Sequence, residues 1–326
     1  MKTISHTSQL PLRKILLATD FSPASEQAAQ VAFDLCQAWK ADLCILHVFE
    51  YSAIAPPECG GELLELDSFY QDAERSLDTL VQQARRRGIS CEGKLESGIS
   101  HNTILENAAT EKIDLIVLGT RPIHGFERLV FGSTAEAVLR KATCPVFTVG
   151  PRAAHIVPEL DPPGGVVIFA TDFHLATTEA LQLAEAFSKH MKLPLHCLHV
   201  LPMSLEEGPH RNVIPLIITE ALQHLAAGIA DKLNPLTCAV TYGSEISNAM
   251  VEYARKHKAR LIVLGVRTAS LAASHIPAHI AYRVIAEAPC PVLTMAYRSQ
   301  PFATATSTAQ NFRPSTLHNR PSSANT

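Results

Sequence analysis

The chain has 326 residues, with 28 Lys and Arg against 31 Asp and Glu for a formal charge of −3; 47% of the residues are apolar. That balance excludes wholesale disorder, and a 6% aromatic content without a long basic run argues against nucleic acid as the main partner. No apolar run approaches the roughly 20 residues of a bilayer span, and the eight cysteines form no C-x-x-C pair, so reduced thiols in a cytosolic protein without a membrane partner are expected.

The start, MKTISHTSQLPLRK, lacks the apolar core of a secretory signal. KILLAT (14–19) then reads as a buried strand. Ser22-Pro23 offers an N-cap followed by proline at the first helical position, and Ala28, Val31, Ala32, Leu35, Cys36 and Trp39 follow at helical spacing. DLCILHVF (42–49) is a second strand, and Leu77, Leu80, Val81 and Ala84 predict a helix over about 67–87. ISCEGKLE (89–96) is the third strand, 102–111 a helix, IDLIVLG (113–119) the fourth strand, 133–142 a helix and CPVFTV (144–149) the fifth strand. Continuous apolarity implies strands buried on both faces, and strand–helix alternation implies an open, doubly wound parallel sheet with right-handed crossovers.

The same pattern then recurs. KILLATDFS at 14–22 is answered by VVIFATDF at 166–173, which sets Asp20 and Asp172 152 residues apart (172 − 20). LHVF (46–49) and LHVL (198–201) keep that spacing, whereas DLIVLGTR (114–121) against RLIVLGVR (260–267), and CPVFTV against CPVLTM (290–295), stand 146 apart (260 − 114). A unit of that size is a whole domain, so the chain is a tandem duplication. Residues 1–150 form the first domain, 151–164 a Pro- and Gly-rich linker and 165–297 the second domain; 298–326, rich in Ser, Thr, Ala and Asn, are expected to be a disordered tail.

In open α/β sheets ligands sit beyond the carboxyl ends of the strands where strand order reverses. Thr19-Asp20 ends the first strand there and Gly119-Thr120-Arg121 the fourth, followed by the loop PIHGFERLVFGSTAE. Gly132 lets backbone approach a phosphate, Ser133-x-x-Glu136 reads as a capping box, and a helix N-terminus favours an anion. Arg121, His124 and Arg128 add charge in the same loop.

The order ATDFS, LHV, DLIVLGTR, GSTAE and CPV resembles the universal stress protein family, here as two such domains covering residues 12–150 and 164–297. The resemblance implies two five-stranded parallel sheets of strand order 3-2-1-4-5, helices on both faces, and an adenine-nucleotide-hydrolase-like fold. One subgroup of that family binds ATP through G-x-x-G-x(9)-G-[S/T]. Carried onto this chain, the resemblance implies ribose contact at Thr19-Asp20, adenine contact from Val48 and Leu118, and phosphate contact from Gly119, Gly132, Ser133 and Thr134. Arg121 and Gly125 belong to the same loop, and Mg2+ would accompany the phosphates. The pattern departs at Pro122, which replaces the middle glycine, fixes φ near −65° and has no N–H, so the implied site is weakened. In the second repeat Gly132-Ser133-Thr134 falls on Ala278-His279-Ile280, and that half is expected to be structural. The apolar last strands invite pairing, repeat one against repeat two as a pseudo-twofold dimer within the chain, or between chains in a homodimer.

Other signals are weaker. His275 and His279 have a metal-ligand spacing interrupted by Pro277. His47 and His199 read as hydrogen-bonded core histidines, and Cys144 and Cys290 as packing residues. No G-x-S-x-G, P-loop or G-x-G-x-x-G motif is present, and no catalytic base stands beside the phosphates, so at most a slow ATPase is expected. Two readings stay open: an ATP-binding stress protein acting through conformation or partners, and a nucleotide-independent scaffold whose sites have lapsed.

Overall fold

A computed structural model describes residues 12–50, 62–120, 132–153, 164–173, 177–227, 229, 235–267 and 278–297. The first half runs β1 (Lys14–Ala18), α1 (Pro23–Trp39), β2 (Asp42–Phe49), α2 (Glu62–Arg86), β3 (Cys91–Ser97), α3 (Ser100–Thr110), β4 (Leu115–Gly119), α4 (Ser133–Lys141) and β5 (Val146–Val149). The second half repeats it as β6 (Val166–Ala170), α5 (Thr177–Met191), β7 (Leu195–Pro202), α6 (Ile214–Ala226), β8 (Leu236–Gly243), α7 (Ile246–Lys256), β9 (Ala259–Arg267), α8 (Ala278–Glu287) and β10 (Val292–Tyr297). The expected tail lies outside the described residues.

Local chemistry starts α1 as the sequence predicts. Ser22 caps it by accepting from Ser25 N–H at 3.3 Å, and Pro23 opens the first turn. The helix ends on Lys40 at φ 55°, a left-handed conformation that recurs at Lys192 (φ 54°), 152 residues on (192 − 40). Lys112 and Lys258 likewise pair at φ 53° and 52°. The duplication therefore extends to backbone geometry that lysine adopts only at some cost.

The strand order is β3-β2-β1-β4-β5-β10-β9-β6-β7-β8, one sheet of ten strands. Each half keeps the predicted order, and the two five-stranded sheets join through their last strands. β5 and β10 pair antiparallel, with Leu293 opposite Phe147, while every other described pair is parallel. Antiparallel pairing of equivalent strands is what a twofold axis between the halves generates, and it leaves neither apolar edge unpaired. Alternate residues of the inner strands face two cores. Ile15, Leu17, Leu115 and Val117 meet α1 and α2, whereas Leu16, Ala18, Ile116 and Leu118 meet α3 and α4.

β3 departs from the expectation of strands buried on both faces. It is an edge strand bearing Glu92 and Lys94, charges that discourage further pairing. Lys14 bridges Glu92 (3.1 Å) and Glu111 (2.6 Å), and Lys94 also bridges Glu111 (2.6 Å). Hydrogen bonds from Lys14 and Lys94 hold the Glu111 carboxyl down at about 2.

The equivalent corner of the second half is aromatic instead. There His196 Nδ1 lies 2.9 Å from Tyr253 Oη, and the His257 ring stacks on Tyr253 at 4.1 Å. Burial, then the neighbouring His257, lowers the His196 pKa from its usual 6.5. Burial acts in the same direction on His190, whose ring stacks on Trp39. The unfolded chain thus takes up these protons more readily than the folded one. Stability is fully present above about pH 6.5 and declines as pH falls below it. Tm is expected to drop between about pH 7.5 and 5.5, and to drop less in His196→Gln. Parallel Tm–pH curves for the two proteins would refute the assignment.

Candidate functional site

β1 and β4 are neighbours that lead in opposite directions across the sheet, β1 toward β2 and β4 toward β5, so a crevice opens beyond their carboxyl ends. The cleft there encloses about 140 Å³. Its apolar wall comes from Ala18, Leu46, Val48, Ile104 and Leu118. Thr19, Asp20, Ser25, Ser100 and Thr134 supply polar groups, with Gly119 between them. The volume is below the roughly 300–1,000 Å³ of pockets that engulf a drug-sized ligand, so the enclosed part suits one portion of such a molecule.

The turn after β1 is tightly determined. Thr19 N–H donates to Leu46 O at 3.0 Å, and Thr19 Oγ1 accepts from Phe21 N–H at 3.0 Å. Asp20 Oδ1 accepts from Ser22 N–H at 3.0 Å and from the Ser25 hydroxyl, while Ser25 Oγ accepts from Asp20 N–H at 3.2 Å. Phe21 takes φ 58°, which reverses the chain within these bonds. From below, His47 Nδ1 lies 2.8 Å from Thr19 O. A carbonyl only accepts, so Nδ1 carries the hydrogen; the expected hydrogen bond is present, but the ring is half-buried rather than in the core. His199 Nδ1 meets Thr171 O at the same 2.8 Å, and Phe173 repeats the left-handed turn at φ 64°.

The other side of the cleft differs from expectation. Ser133 is the first residue of α4 rather than its cap; Gly132 occupies the cap position, with no side-chain hydrogen bond. The predicted capping box does not form, because glycine has no side chain and Glu136 pairs with Arg140 at 2.8 Å instead. Glu136 N–H closes the first turn on Gly132 O at 2.9 Å. The earlier amides of the turn thus lack a side-chain cap, and a helix start of this kind favours an anion. Thr134 faces the cleft, and Ser133 is exposed.

Gly119 answers first to packing. A Cβ there would lie 2.2 Å from Ala24 O, so α1 passes too close to β4 for any side chain. Arg121, Pro122, His124, Gly125 and Arg128 lie outside the described residues, as does His275; of Ala278 and His279 only the backbone, within α8, is described. Sequence reasoning missed Ser25, Ser100 and Ile104 as cleft residues. The only available signals were the ST-rich start of α1 and the onset of a helix after Gly98. Among the described residues no group of three or more His, Cys, Asp or Glu could hold a metal ion. Four buried or half-buried thiols are unsuited to nucleophilic work: burial pushes Cys36, Cys44 and Cys197 up to about 12 and Cys144 to about 11. No described helix is long and apolar enough to cross a membrane.

A duplicated, doubly wound parallel sheet with a cleft at the reversal of strand order defines a tandem α/β protein of the nucleotide-hydrolase-like class. Its family follows from sequence. The pattern of the Universal stress protein family matches residues 11–150 and again 165–295, and the chain belongs to that family. A universal stress protein of Methanocaldococcus jannaschii is 32% identical over 139 residues, 42% of this chain and 81% of that protein. One from Mycolicibacterium smegmatis is 30% identical over 154 residues, 45% of this chain and 48% of that one. The crystal structure of a universal stress protein from Archaeoglobus fulgidus covers 87% of this chain and 98% of its own, at 21% identity and a TM-score of 0.64. That likeness is one of fold.

Proposed function

We propose that the first half binds an adenine nucleotide, ATP, and that the protein acts through the conformation or partners of its bound state. The observation carrying this reading is that the Asp20 carboxylate and the uncapped start of α4 border one cleft whose remaining wall is apolar. Adenine would lie along Val48 and Leu118, the ribose at Asp20 and Thr19, and the phosphates toward Gly119, Gly132, Ser133 and Thr134, with Arg121 and Gly125 in the adjoining loop. The small enclosed volume suits the base, leaving the phosphates on the open side. Asp20 is the cleft's single described carboxylate, so Mg2+ would arrive on the phosphates rather than in a protein cage. In the second half α8 starts with Ala278 where α4 follows Gly132, which supports a structural role there. One observation favours the alternative of a nucleotide-independent scaffold: Pro122 removes an N–H from the loop.

Thermal unfolding with and without Mg-ATP tests the reading. Ligand at about 100 times its Kd should stabilise by about 2.7 kcal/mol. Asp20→Ala lowers the unliganded baseline because Ser22 and Ser25 lose their acceptor, so its ligand shift is read against its own baseline and is expected to shrink. Gly132→Asp separates the effects further. An aspartate cap satisfies the first-turn amides and leaves or raises the unliganded Tm, yet it repels a triphosphate and should abolish the ATP shift. An absent wild-type shift at millimolar ATP, or an undiminished one in Gly132→Asp, would refute phosphate binding here.

A further inference from the structure

On the opposite face of this end of the sheet, between the end of β2 and the first half of α2, lies a second hollow of about 390 Å³. Its volume falls within the range of small-molecule sites. Phe21, His47, Phe49 and Phe69 line it, and Glu50 and Asp72 bring carboxylates to its edge. Phe21 stacks on His47 with ring centroids 4.4 Å apart, and Phe49 meets Tyr70 edge to face at 6.4 Å. Phe69 remains 55% exposed, a large apolar surface for a position on a charged helix.

The local charge is one-sided. Residues 68–78 hold Asp72, Glu74 and Asp78 against the lone base Arg75, and Glu50 adds to them. Asp72 pairs with Arg75 on the exposed surface, so that pair restrains little. Glu50 Oε1 accepts from Ser100 N–H at 2.7 Å, and hydrogen bonds from Ser100 hold its carboxyl below the usual range, so it is ionised at neutral pH. Aromatic faces attract a cation, a field of this sign concentrates cations, and both disfavour anions.

We propose that this hollow binds a small organic ammonium ion, its apolar body against Phe21, Phe49 and Phe69 and its charged head toward Glu50 and Asp72. The assignment is independent of what the cleft on the other face binds, and it is tested without nucleotide. The full-length protein is titrated with 2-phenylethylammonium and with its neutral analogue 2-phenylethanol, followed by calorimetry and by the NMR signals of the His47 ring. The ammonium should bind saturably and shift the His47 signals, with the alcohol about tenfold weaker. Added salt should weaken the ammonium alone. Phe69→Ala should weaken both ligands. Glu50→Gln with Asp72→Asn should remove the preference for charge while keeping the acceptor that Ser100 uses. Phe69 is exposed and its truncation leaves the core intact, so Tm serves as the folding control. Equal affinity for the two ligands, or no saturation by the ammonium at millimolar concentration, overturns the proposal.

Discussion

Phe187→Ala is expected to destabilise the protein by about 3–5 kcal/mol, the range for truncating a fully buried phenylalanine. Phe187 lies on α5 of the second half and is 1% exposed. Its ring meets Phe147 at 6.0 Å and Trp39 at 5.6 Å, both from the first half. The cavity would therefore open at the seam rather than inside either repeat. Little else polar holds that point: the buried Trp39 Nε1 has no hydrogen-bond partner among the described residues, so shape and apolar contact carry it. Trp39 is also the only tryptophan, so its fluorescence reports on the seam directly. In urea the wild-type fluorescence and far-UV circular dichroism should change together. In Phe187→Ala the fluorescence should change first, as the halves part before they unfold. Phe33→Ala, buried within the first half, should lower stability by a similar amount with the two signals still coincident. A loss under about 1 kcal/mol, or coincident signals in Phe187→Ala, would show that the seam is not held there.

The sequence made the strand order legible because ATDF, LHV, LIVLG and CPV recur in order, and buried parallel strands show as unbroken apolar runs. It raised pairing of the two apolar last strands but could not choose between a partner inside the chain and one outside it, since an apolar edge strand has the same pattern in either case. The six-residue change in repeat spacing falls between β2 and β4, the stretch that holds the two most unequal helices, α2 with 25 residues and α6 with 13. Cap chemistry misled at α4, where Ser133-x-x-Glu136 fits a capping box but the helix starts one residue earlier in phase. Sequence spacing cannot separate a Ser at the cap from one at the first helical position. At Asp20 a structural role and a place at the cleft coincide: its Oδ1 holds Ser22 and Ser25 while the residue borders the cleft. Ser25 and Ser100 reach the cleft only through tertiary placement, which no local pattern encodes. The divergence of the halves at Glu111 and His257 was equally hidden. Both are polar residues at the end of a helix, and only packing shows one closing an ion cluster and the other an aromatic stack.

Gly119→Ala should destabilise at or beyond the upper end of the roughly 1–3 kcal/mol typical of overpacking. The added methyl would meet Ala24 O at 2.2 Å, Ala24 C at 2.5 Å and Ser25 N at 2.9 Å. These are backbone atoms of the first turn of α1, and no side-chain rotation relieves them. The helix would have to move off β4, carrying Ser25 away from Asp20 and loosening the turn that presents the carboxylate. Gly132→Ala is the natural comparison. A Cβ there has nothing within 4 Å, and φ is −59°, so alanine fits without strain. Its cost should be that of a poorer cap, under about 1 kcal/mol. Chemical denaturation of the two variants side by side distinguishes what the two glycines do. If they differ as expected, glycine at 119 is required by the approach of α1, and its recurrence at 265 says nothing about nucleotide, whereas glycine at 132 answers to no packing demand among the described residues and serves as the cap of α4. If Gly119→Ala proved as stable as Gly132→Ala, the close approach of α1 would not be what requires glycine at 119.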